Sequence, residues 1–450
     1  MELKYRRIYA YTFVIVFILI APLLIFYTEG YRYDFKKGQI VRTGVLNVDS
    51  NPRDATIVLN GKTIKNKTQA IIKNLPPQEY QITIKKESYY EWEKKLLVFP
   101  NQATLTNRIT LFKNSSPSLL LDEQIDQFKI SPDNSSLAYL TKNEQNKLYF
   151  VLQRLSDSSE ITRLPLVQNG SYSFSFSENN SYLFLWQEQD NKRDYQIIFL
   201  KTNQKPLALS KISALNFSTL KAPSGSEAIY GLCDGKLYEI DLAKNSSKLI
   251  IDDLIQDYTI FSKNVYYLYR DQKKCLLEKT GLDGKLNRQE LLTLPCSTEY
   301  SLENGANHFL TLLSNNHQLS LIELQGELAI NLKQLNPSVL GFNWSPDQKK
   351  IIFYNEFEIW VLDLETEGQE LLIRSSEPIE NVAWNYDPAW IVFYQAETIK
   401  TIELDSRDKR NVIDLVNCPN SDFMVDVKQA RIIFKGSKNN PTRLYQLELK

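Results

Sequence analysis

The sequence is poor in the residue types that most catalytic and metal sites use. Its 450 residues include two histidines and four cysteines, and lysine plus arginine equal aspartate plus glutamate at 53 each. Nucleic-acid binding needs an excess of clustered positive charge, so this balance argues against a nucleic-acid partner. The cysteines are far apart without C-x-x-C spacing, which excludes a cysteine metal site, and they are too few for a disulfide scaffold. Three pairings of Cys233, Cys275, Cys296 and Cys418 stay open.

Catalytic motifs are equally scarce. The sequence has no G-x-S-x-G elbow, phosphate loop or dinucleotide fingerprint. His308 and His317 lie nine residues apart, which does not fit the H-x-x-x-H spacing of a zinc pair, so we interpret them as surface or hairpin residues. Asp133, Asp347 and Asp387 recur at equivalent turns without a calcium-loop motif, and we expect them to bond their own turns. We predict no catalytic residue, metal or cofactor.

A long apolar run lies near the start of the chain. From Ile8 to Tyr27 the segment IYAYTFVIVFILIAPLLIFY carries no charge. At about 1.5 Å of helix per residue, its length matches a hydrocarbon core of roughly 30 Å. We therefore predict a transmembrane helix that contacts the lipid bilayer. A cleaved signal peptide is the alternative, but the run exceeds a typical signal core and no small-x-small cleavage site follows.

Positive charge flanks this run on both sides, so charge alone does not set the topology. The basic residues are Lys4, Arg6 and Arg7 before it and Arg32, Lys36, Lys37 and Arg42 after it. A short tail before an apolar segment suits a signal anchor that carries the following domains across the membrane. We predict a cytoplasmic tail and anchor at residues 1–29, a linker at 30–43 and extracytoplasmic domains beyond it.

Residues 44–113 contain short runs that alternate apolar and polar positions, separated by Pro, Asn and Gly. Such runs predict the strands of an antiparallel β-sandwich. The stretches GVLNVDSNPRDATIVLNGK, NLPPQEYQITIKKESYYEW and TNRITLF occur here in that order. They resemble the PEGA domain, which implies a small β-sandwich of bacterial and archaeal envelope proteins. Asp54, Gln78 and Ser88 replace glycines that are usual in this family, so we expect the Gln78 and Ser88 turns to differ in detail.

Residues 118–450 contain a repeat of strand, tight polar turn and strand. Its copies begin at residues 128, 174, 215, 258, 300, 342, 382 and 423, a spacing of about forty residues. That spacing is typical of a four-stranded β-propeller blade. Ser131-Pro132-Asp133 and Ser345-Pro346-Asp347 resemble the turns of WD-like, Tol-system-type propeller repeats. Glycine is scarce, at 15 residues, and asparagine crowds the turns because it tolerates the left-handed region.

The end of the propeller region lacks one strand. The last copy leaves room for three strands, whereas SLLLD at 118–122 precedes the first copy without a partner. Pairing the two would close the ring and remove exposed edges. The predicted fold is therefore all-β with one transmembrane helix, a PEGA-like sandwich and an eight-bladed propeller, with seven blades as the alternative.

Function follows less directly from these patterns. We interpret the chain as a membrane-anchored, extracytoplasmic binding or scaffolding protein of the cell envelope, whose propeller recognises a protein or a cell-wall glycan. One alternative is an enzyme with its active site at the central channel, where loops from all blades converge. Another is a structural component that contacts the cell wall through the sandwich. Fold alone does not choose among these three functions. Carboxylates clustered at the channel would favour the enzyme.

An aromatic stretch of the sandwich offers a candidate binding surface. ESYYEW contains Tyr89, Tyr90 and Trp92, and strand alternation places at most one side of it in the core. In the resembled family, an aromatic after the turn and the Trp three positions on pack inside the domain. We therefore expect Tyr89 and Trp92 to be core residues and Tyr90 to face outward as the candidate binding residue.

Overall fold

The computed structural model describes residues 3–34, 38–168, 170–190, 192–202, 204–224, 226–271, 274–285, 288–296, 298–305, 308–325, 328–436 and 442–450. Their contacts divide the chain into two compact units. The first consists of Met1–Pro117, Lys400–Leu415 and Leu447–Lys450, and the second of Ser118–Ile399 and Val416–Gln446. The predicted domain bounds, 44–113 for the sandwich and 118–450 for the propeller, stay predictions.

Helix α1 occupies Leu3–Thr28 and includes Pro22. Its segment Tyr9–Thr28 has a mean hydropathy of 2.5, and none of it is buried. Apolar side chains exposed around a whole helix are unfavourable in water, so this segment requires an apolar surrounding. Its length and composition fit either a membrane span or a signal sequence.

The predicted linker contains a small hairpin. Residues 35–37 of the linker lie outside the described part of the chain. Strand β1 is Tyr31–Asp34 and β2 is Gln39–Arg42, and they pair antiparallel. The Arg32 guanidinium lies 3.7 Å from the centre of the Tyr27 ring, and Arg42 lies 4.7 Å from that of Tyr31. Basic and aromatic side chains at a helix end are typical of the interface between membrane and water.

The sandwich contains seven strands in two sheets. The strands are β3 Gly44–Asn51, β4 Thr56–Leu59, β5 Lys62–Lys67, β6 Ala70–Leu75, β7 Gln78–Lys85, β8 Trp92–Val98 and β9 Ala103–Thr110. The sheet orders are β6-β3-β9 and β5-β4-β7-β8. Period-two burial is complete along β3, where every second residue from Gly44 onward is buried, which confirms the alternation read from the sequence. The prediction of an antiparallel sandwich is wrong at one pair, because β3 and β9 are parallel.

The three positions that lack the family's glycine behave differently. Asp54 has a φ of 60° and Ser88 a φ of 64°, so both adopt the left-handed conformation. Ser does so less readily than Asp, yet the turn is retained. Gln78, in contrast, begins the extended strand β7 and pairs with Val98. Asp54 and Ser88 therefore adopt the conformation that glycine favours, whereas Gln78 does not.

A buried polar network joins β8 to the segment Lys400–Leu415 within the first unit. The Lys94 side chain is fully buried and forms an ion pair with Glu403, which is itself buried. Trp92 Nε1 donates a 2.9 Å hydrogen bond to the second carboxylate oxygen of Glu403. Asn411 Nδ2 also donates to Glu403, at 2.9 Å, and to the Glu93 carbonyl at 3.1 Å. We call Trp92, Lys94, Glu403 and Asn411 the buried network.

The remaining strands form eight four-stranded sheets in the described part of the chain. Seven of these sheets keep sequence order, and each is antiparallel wherever its pairing is described. The strands are β10 Ser118–Leu121, β11 Gln124–Ile130, β12 Ser136–Lys142, β13 Leu148–Arg154, β14 Glu160–Pro165, β15 Ser171–Phe176, β16 Tyr182–Gln189, β17 Lys192–Phe199, β18 Leu207–Ala208, β19 Thr219–Lys221, β20 Ile229–Cys233, β21 Lys236–Asp241, β22 Ser246–Ile251, β23 Ile255–Phe261, β24 Asn264–Asp271, β25 Lys274–Gly281, β26 Gln289–Leu294, β27 Tyr300–Asn304, β28 Phe309–Ser314, β29 Leu319–Gln325, β30 Leu328–Gln334, β31 Gly341–Trp344, β32 Lys350–Tyr354, β33 Glu358–Asp363, β34 Gln369–Arg374, β35 Ile379–Trp384, β36 Trp390–Gln395, β37 Thr398–Glu403, β38 Val412–Asn417, β39 Phe423–Asp426, β40 Arg431–Gly436 and β41 Arg443–Glu448. A 3-10 turn lies at Leu209–Lys211.

The eighth sheet has the order β10-β41-β40-β39, so the first strand of the region joins the last three. Leu119 pairs with Tyr445 and Leu121 with Leu444. This confirms the predicted pairing of 118–122 with the final copy, which covers an edge that would otherwise be exposed. The fold is a β-propeller, and the arrangement of these sheets as eight blades of one ring stays a prediction.

Candidate functional site

A cavity of about 1320 Å³ lies within the second unit, lined mainly by the first strands of successive sheets and the turns that follow them. In a propeller the first strand of each blade faces the central channel, where loops from several blades meet. We call six polar residues of its wall, which interact with one another through hydrogen bonds or charge, the channel cluster. They are Glu178, Lys221, Asp257, Thr259, Glu303 and Asn304.

Asp257 and Lys221 form the centre of the channel cluster. The Lys221 Nζ lies 3.0 Å from Asp257 Oδ1 and 3.3 Å from the Leu302 carbonyl. The backbone N–H of Tyr258 donates to the same carboxylate oxygen, and that of Leu302 donates to the other, both at 2.8 Å. Both oxygens of Asp257 therefore accept bonds from the protein, and this carboxylate links β19, β23 and β27.

Asn304 connects the other members of the cluster. Its side-chain nitrogen donates to Glu178 Oε2 at 2.9 Å and to the Ile260 carbonyl at 3.0 Å. Its side-chain oxygen accepts a 2.8 Å bond from the Thr259 hydroxyl. The three bonds fix the amide orientation and bring Glu178, from the turn after β15, to the end of β27.

Glu303 lines the cavity and, although its residue surface is exposed, its carboxylate has a raised pKa. The pKa lies above the ordinary value of 4.5 because the surrounding protein reduces the hydration of the carboxylate, and the nearby Asp257 and Glu178 charges raise it further. The positive charge of Lys221 opposes that rise. Three carboxylates around one ammonium give the cavity an excess of negative charge, and Glu303 holds its proton more readily than an ordinary glutamate does.

The residues considered as metal ligands do not gather in this cavity. In the part of the chain that the structure describes, no group of three or more His, Cys, Asp or Glu side chains could hold a metal ion. His308 and His317 are both exposed, and His308 lies 3.3 Å from Glu323. His317 contributes to the cavity wall from a turn, where its N–H bonds the Ser314 carbonyl.

The recurrent aspartates bond their own turns, as predicted. Asp133 Oδ1 accepts 2.7 Å bonds from the Ser131 and Ser135 hydroxyls, and Asp347 Oδ1 accepts one of 2.6 Å from Ser345. Burial raises the pKa of Asp133 and Asp347, but these bonds outweigh it, and both pKa values lie below the ordinary range. Asp387 likewise accepts a 2.9 Å bond from the N–H of Ala389.

The aromatic stretch of the sandwich contains one buried and two half-buried residues. Trp92 is buried, as expected of a core residue, and it belongs to the buried network. Tyr89 and Tyr90 are both half-buried, so exposure does not separate them. Burial and the nearby Asp414 charge raise the pKa of Tyr90. Tyr90 as a binding residue stays a prediction.

Comparison with known families identifies the sandwich. The PEGA domain family matches residues 43–114. These residues are a PEGA domain. The match covers a small part of the chain and therefore identifies this domain, not the whole protein. No curated protein sequence matches the chain.

Solved structures share the propeller fold at low sequence identity. A eukaryotic initiation factor is 13% identical, with a TM-score of 0.52 over 75% of this chain and 92% of its own. Dipeptidyl peptidase 4 of Porphyromonas gingivalis is 9% identical, with a TM-score of 0.54 over 73% of this chain and 58% of its own. The C-terminal WD40 domain of Sif2 is 13% identical, with a TM-score of 0.49 over 75% and 98%. Such likeness shows the fold alone. The Tol-system-type subfamily stays a prediction.

The channel cluster was not predicted from the sequence. Its members come from different sheets, and none of them belongs to a short motif. Asp257, Glu303 and Asn304 lie in β23 and β27. The useful signal is polar residues within the first strand of a copy, because that strand faces the channel in a propeller.

Proposed function

We propose that the protein is a membrane-anchored, extracytoplasmic scaffold of the cell envelope whose propeller binds a partner at the channel cluster. The observation that carries this proposal is the large cavity with excess carboxylates, of which Asp257 and Glu178 are held by protein donors. Carboxylates clustered at the channel are also what the enzyme alternative predicts, and it is their fixed positions that favour binding. Its negative charge favours a partner that brings a basic segment, such as a lysine- or arginine-bearing loop of another envelope protein. A cell-wall glycan is the other partner to be tested.

The anchoring part of the proposal is supported by the exposed apolar helix and by the side chains at its end. Twenty residues, Tyr9–Thr28, are apolar enough to cross a membrane. Arg32 and Arg42 stack on Tyr27 and Tyr31 directly after it, as interfacial anchors do. The match to the PEGA family implies an envelope protein, which supports a location outside the cytoplasm.

Binding accounts for the channel cluster better than catalysis does. Asp257 accepts bonds from three donors, and Glu178 is held by Asn304, so these carboxylates are fixed in position. Fixed charges recognise a ligand at little cost in conformational entropy. No cavity-lining Ser or Cys is described in a hydrogen bond with a histidine base, an arrangement that nucleophilic catalysis would need.

A photocrosslinking amino acid in the full-length chain tests the proposed partner site in cells. Gln256 is exposed and lines the cavity, whereas Leu249 is exposed on β22, the last strand of its sheet. We expect a crosslinked partner from position 256 and not from position 249. A glycan partner would give no protein adduct, but cell-wall fragments would bind the purified chain. Equal capture at both positions would contradict a partner site in the channel.

A variant with fewer carboxylates tests whether capture at position 256 depends on the negative charge of the cavity. Glu178→Gln combined with Glu303→Gln keeps the side-chain shapes but removes two carboxylates, so capture at position 256 should fall at least about tenfold, a loss of about 1.4 kcal/mol. Glu365→Gln is the matched control, because Glu365 is exposed and pairs with Lys349 outside the cavity. Unchanged capture in the double variant would remove the electrostatic basis of the proposal.

A hydrolytic enzyme is the second candidate, and Glu303 is the observation that favours it. A carboxylic acid with a raised pKa inside a cavity can donate a proton in general acid catalysis. If the protein hydrolyses glycosides or peptides, Glu303→Gln should abolish turnover while substrate binding remains. Without turnover by the unaltered protein on either class of substrate, this candidate is withdrawn.

The wall-contact hypothesis rests on Tyr90. Tyr90→Ala should leave the PEGA domain folded and weaken binding to isolated cell-wall material, because a half-buried aromatic ring still presents one face. Tyr89→Ala is the control, since Tyr89 is equally half-buried. If the folded Tyr90→Ala variant binds wall material as well as the unaltered protein does, the propeller remains the candidate for recognition.

A further inference from the structure

Two of the four cysteines lie together in the structure. Cys275 is buried in the apolar core formed by β24, β25 and β28, and Cys296 packs against the same core. Cys233 lies in a different core, beside Phe217 and Ile229. Cys418 lies in the second unit with its sulfur 3.3 Å from the Asn420 carbonyl. The structure therefore distinguishes one pair among the three pairings that the sequence left open.

The local backbone explains why this pair meets. Cys275 lies in β25 directly opposite Leu294, the last residue of β26. Pro295 ends that strand, and Cys296 follows it at the turn toward β27. Cys296 follows Leu294 by two residues, and its side chain packs against the core that contains Cys275. After burial, the neighbouring Cys296 side chain is the next cause of the raised pKa of the Cys275 thiol. A disulfide requires the two sulfur atoms to come within about 2.05 Å of each other, and a shared core places both side chains in one region.

We propose that Cys275 and Cys296 form a disulfide bond when the chain occupies an oxidising compartment. This inference rests on the proposed extracytoplasmic location for its occurrence in cells, but not for the pairing itself. Disulfides persist outside the cytoplasm and are kept reduced within it.

The bond forms by exchange with an external disulfide, such as glutathione disulfide or an oxidised thiol oxidoreductase. Cys296 is the more exposed thiol, so its thiolate attacks first, forms a mixed disulfide and releases one reduced thiol. The Cys275 thiolate then attacks the Cys296 sulfur and releases the second reduced thiol. The protein loses two protons and two electrons, and the external disulfide gains them. Burial raises the pKa of the Cys275 thiol to about 11, so this second step is the slow one at neutral pH.

The bond would fasten the β25–β26 hairpin to the segment that enters β27. That strand begins at Tyr300, which lines the cavity, and it carries Glu303 and Asn304 of the channel cluster. Oxidation of this pair therefore restrains one wall of the candidate site.

Peptide mapping of the purified full-length chain tests the pairing without reference to location. The folded protein is incubated with glutathione disulfide, quenched with an alkylating agent and digested with trypsin, which cuts after Lys274, Lys279, Arg288 and Lys333. We expect peptide 275–279 linked to peptide 289–333, with a combined mass lower by two hydrogen atoms and the link lost on reduction. If both peptides are alkylated, or each carries glutathione, the pairing is wrong.

Variants and a cellular measurement complete the test. The double variant Cys233→Ser/Cys418→Ser should retain the linked peptides, whereas Cys296→Ser should lose them. The same map is then recorded from cells alkylated before lysis, where the linked pair is again expected. Linked peptides in vitro but alkylated thiols in cells would contradict the oxidising location and leave the pairing standing. Alkylated thiols in both would overturn the pairing itself.

Discussion

Two lysine–carboxylate clusters occupy different surroundings in this protein. In the buried network, the Lys94 side chain is 0% exposed and that of Glu403 is 5% exposed. In the channel cluster, the values for Lys221 and Asp257 are 26% and 18%. The same chemical pair is therefore dry in one place and partly hydrated in the other. A buried charge that loses its partner is strongly destabilising, so the buried network should contribute more to stability. The channel cluster is partly hydrated and can exchange water for a ligand.

The largest fall in the free energy of unfolding is expected when the lysine is removed from the buried network. Lys94→Met leaves the Glu403 carboxylate buried without a cation, so the free energy of unfolding should fall by about 3–5 kcal/mol. Urea unfolding of the full-length chain in micelles, followed by tryptophan fluorescence, measures this change.

Two further variants sharpen that measurement. Lys349→Met breaks an exposed ion pair with Glu365 and should cost less than about 1 kcal/mol. Lys94→Met combined with Glu403→Gln removes both buried charges and should recover at least half of the loss. If Lys94→Met costs no more than Lys349→Met, the buried network does not stabilise the protein as proposed.

A smaller loss is expected from the indole of the same network. Trp92→Phe keeps an aromatic ring but removes the hydrogen bond to Glu403, which should cost about 1–3 kcal/mol. Thermal unfolding monitored by circular dichroism measures the change. Because Trp92→Phe and Lys94→Met alter one network, their effects should not add in the combined variant. Additive effects would show that the two side chains act independently.

The corresponding lysine variant in the channel should cost little. Lys221→Met removes a partner of Asp257, but the N–H groups of Tyr258 and Leu302 remain and water can reach the site. We expect a loss of about 1 kcal/mol or less in urea unfolding. A loss as large as that of Lys94→Met would mean that both clusters are structural.

The smallest expected effect concerns the pH dependence of the channel cluster. The folded-state pKa of Glu303 is raised, so the folded protein binds its proton more tightly than the unfolded chain does. Stability should therefore fall as the pH rises from about 4.5 through the folded-state pKa of this group. Glu303→Gln should flatten that part of the curve of unfolding free energy against pH, whereas Glu365→Gln should not. An unchanged slope would show that Glu303 is normally hydrated.

Local patterns predicted the secondary structure well. The copies beginning at residues 128, 174, 342, 382 and 423 correspond to β11–β12, β15–β16, β31–β32, β35–β36 and β39–β40. Each combines alternating apolar residues with a polar turn, and both signals depend on neighbours in sequence. The pairing of β10 with β41 was also predictable. The last copy has three strands and lacks a fourth, and the unpartnered strand before the first copy can complete that sheet.

The candidate site and the buried network were not predictable in this way. Trp92 and Glu403 are separated by 311 residues, and Glu178 and Asn304 by 126. No periodicity relates such residues, since their contact depends on how whole sheets are arranged. The roles assigned to aromatic residues illustrate this limit. Tyr89 and Tyr90 received different roles mainly from the resemblance to the PEGA family, yet both are half-buried. Tyr89 forms an isolated bridge with Lys113 there and does not continue a regular strand.

The sequence by itself determined the apolar helix, the strand pattern, the repeat and the shortage of catalytic motifs, because each depends on residue type and short spacing. Only the tertiary structure decided which charges are buried, which face the cavity and which two cysteines meet. The formal charge of lysine is the same in Lys94 and Lys221, but the surrounding protein removes water from one and leaves it at the other. Hydration is a property of the folded surroundings, and it separates a structural ion pair from a binding surface.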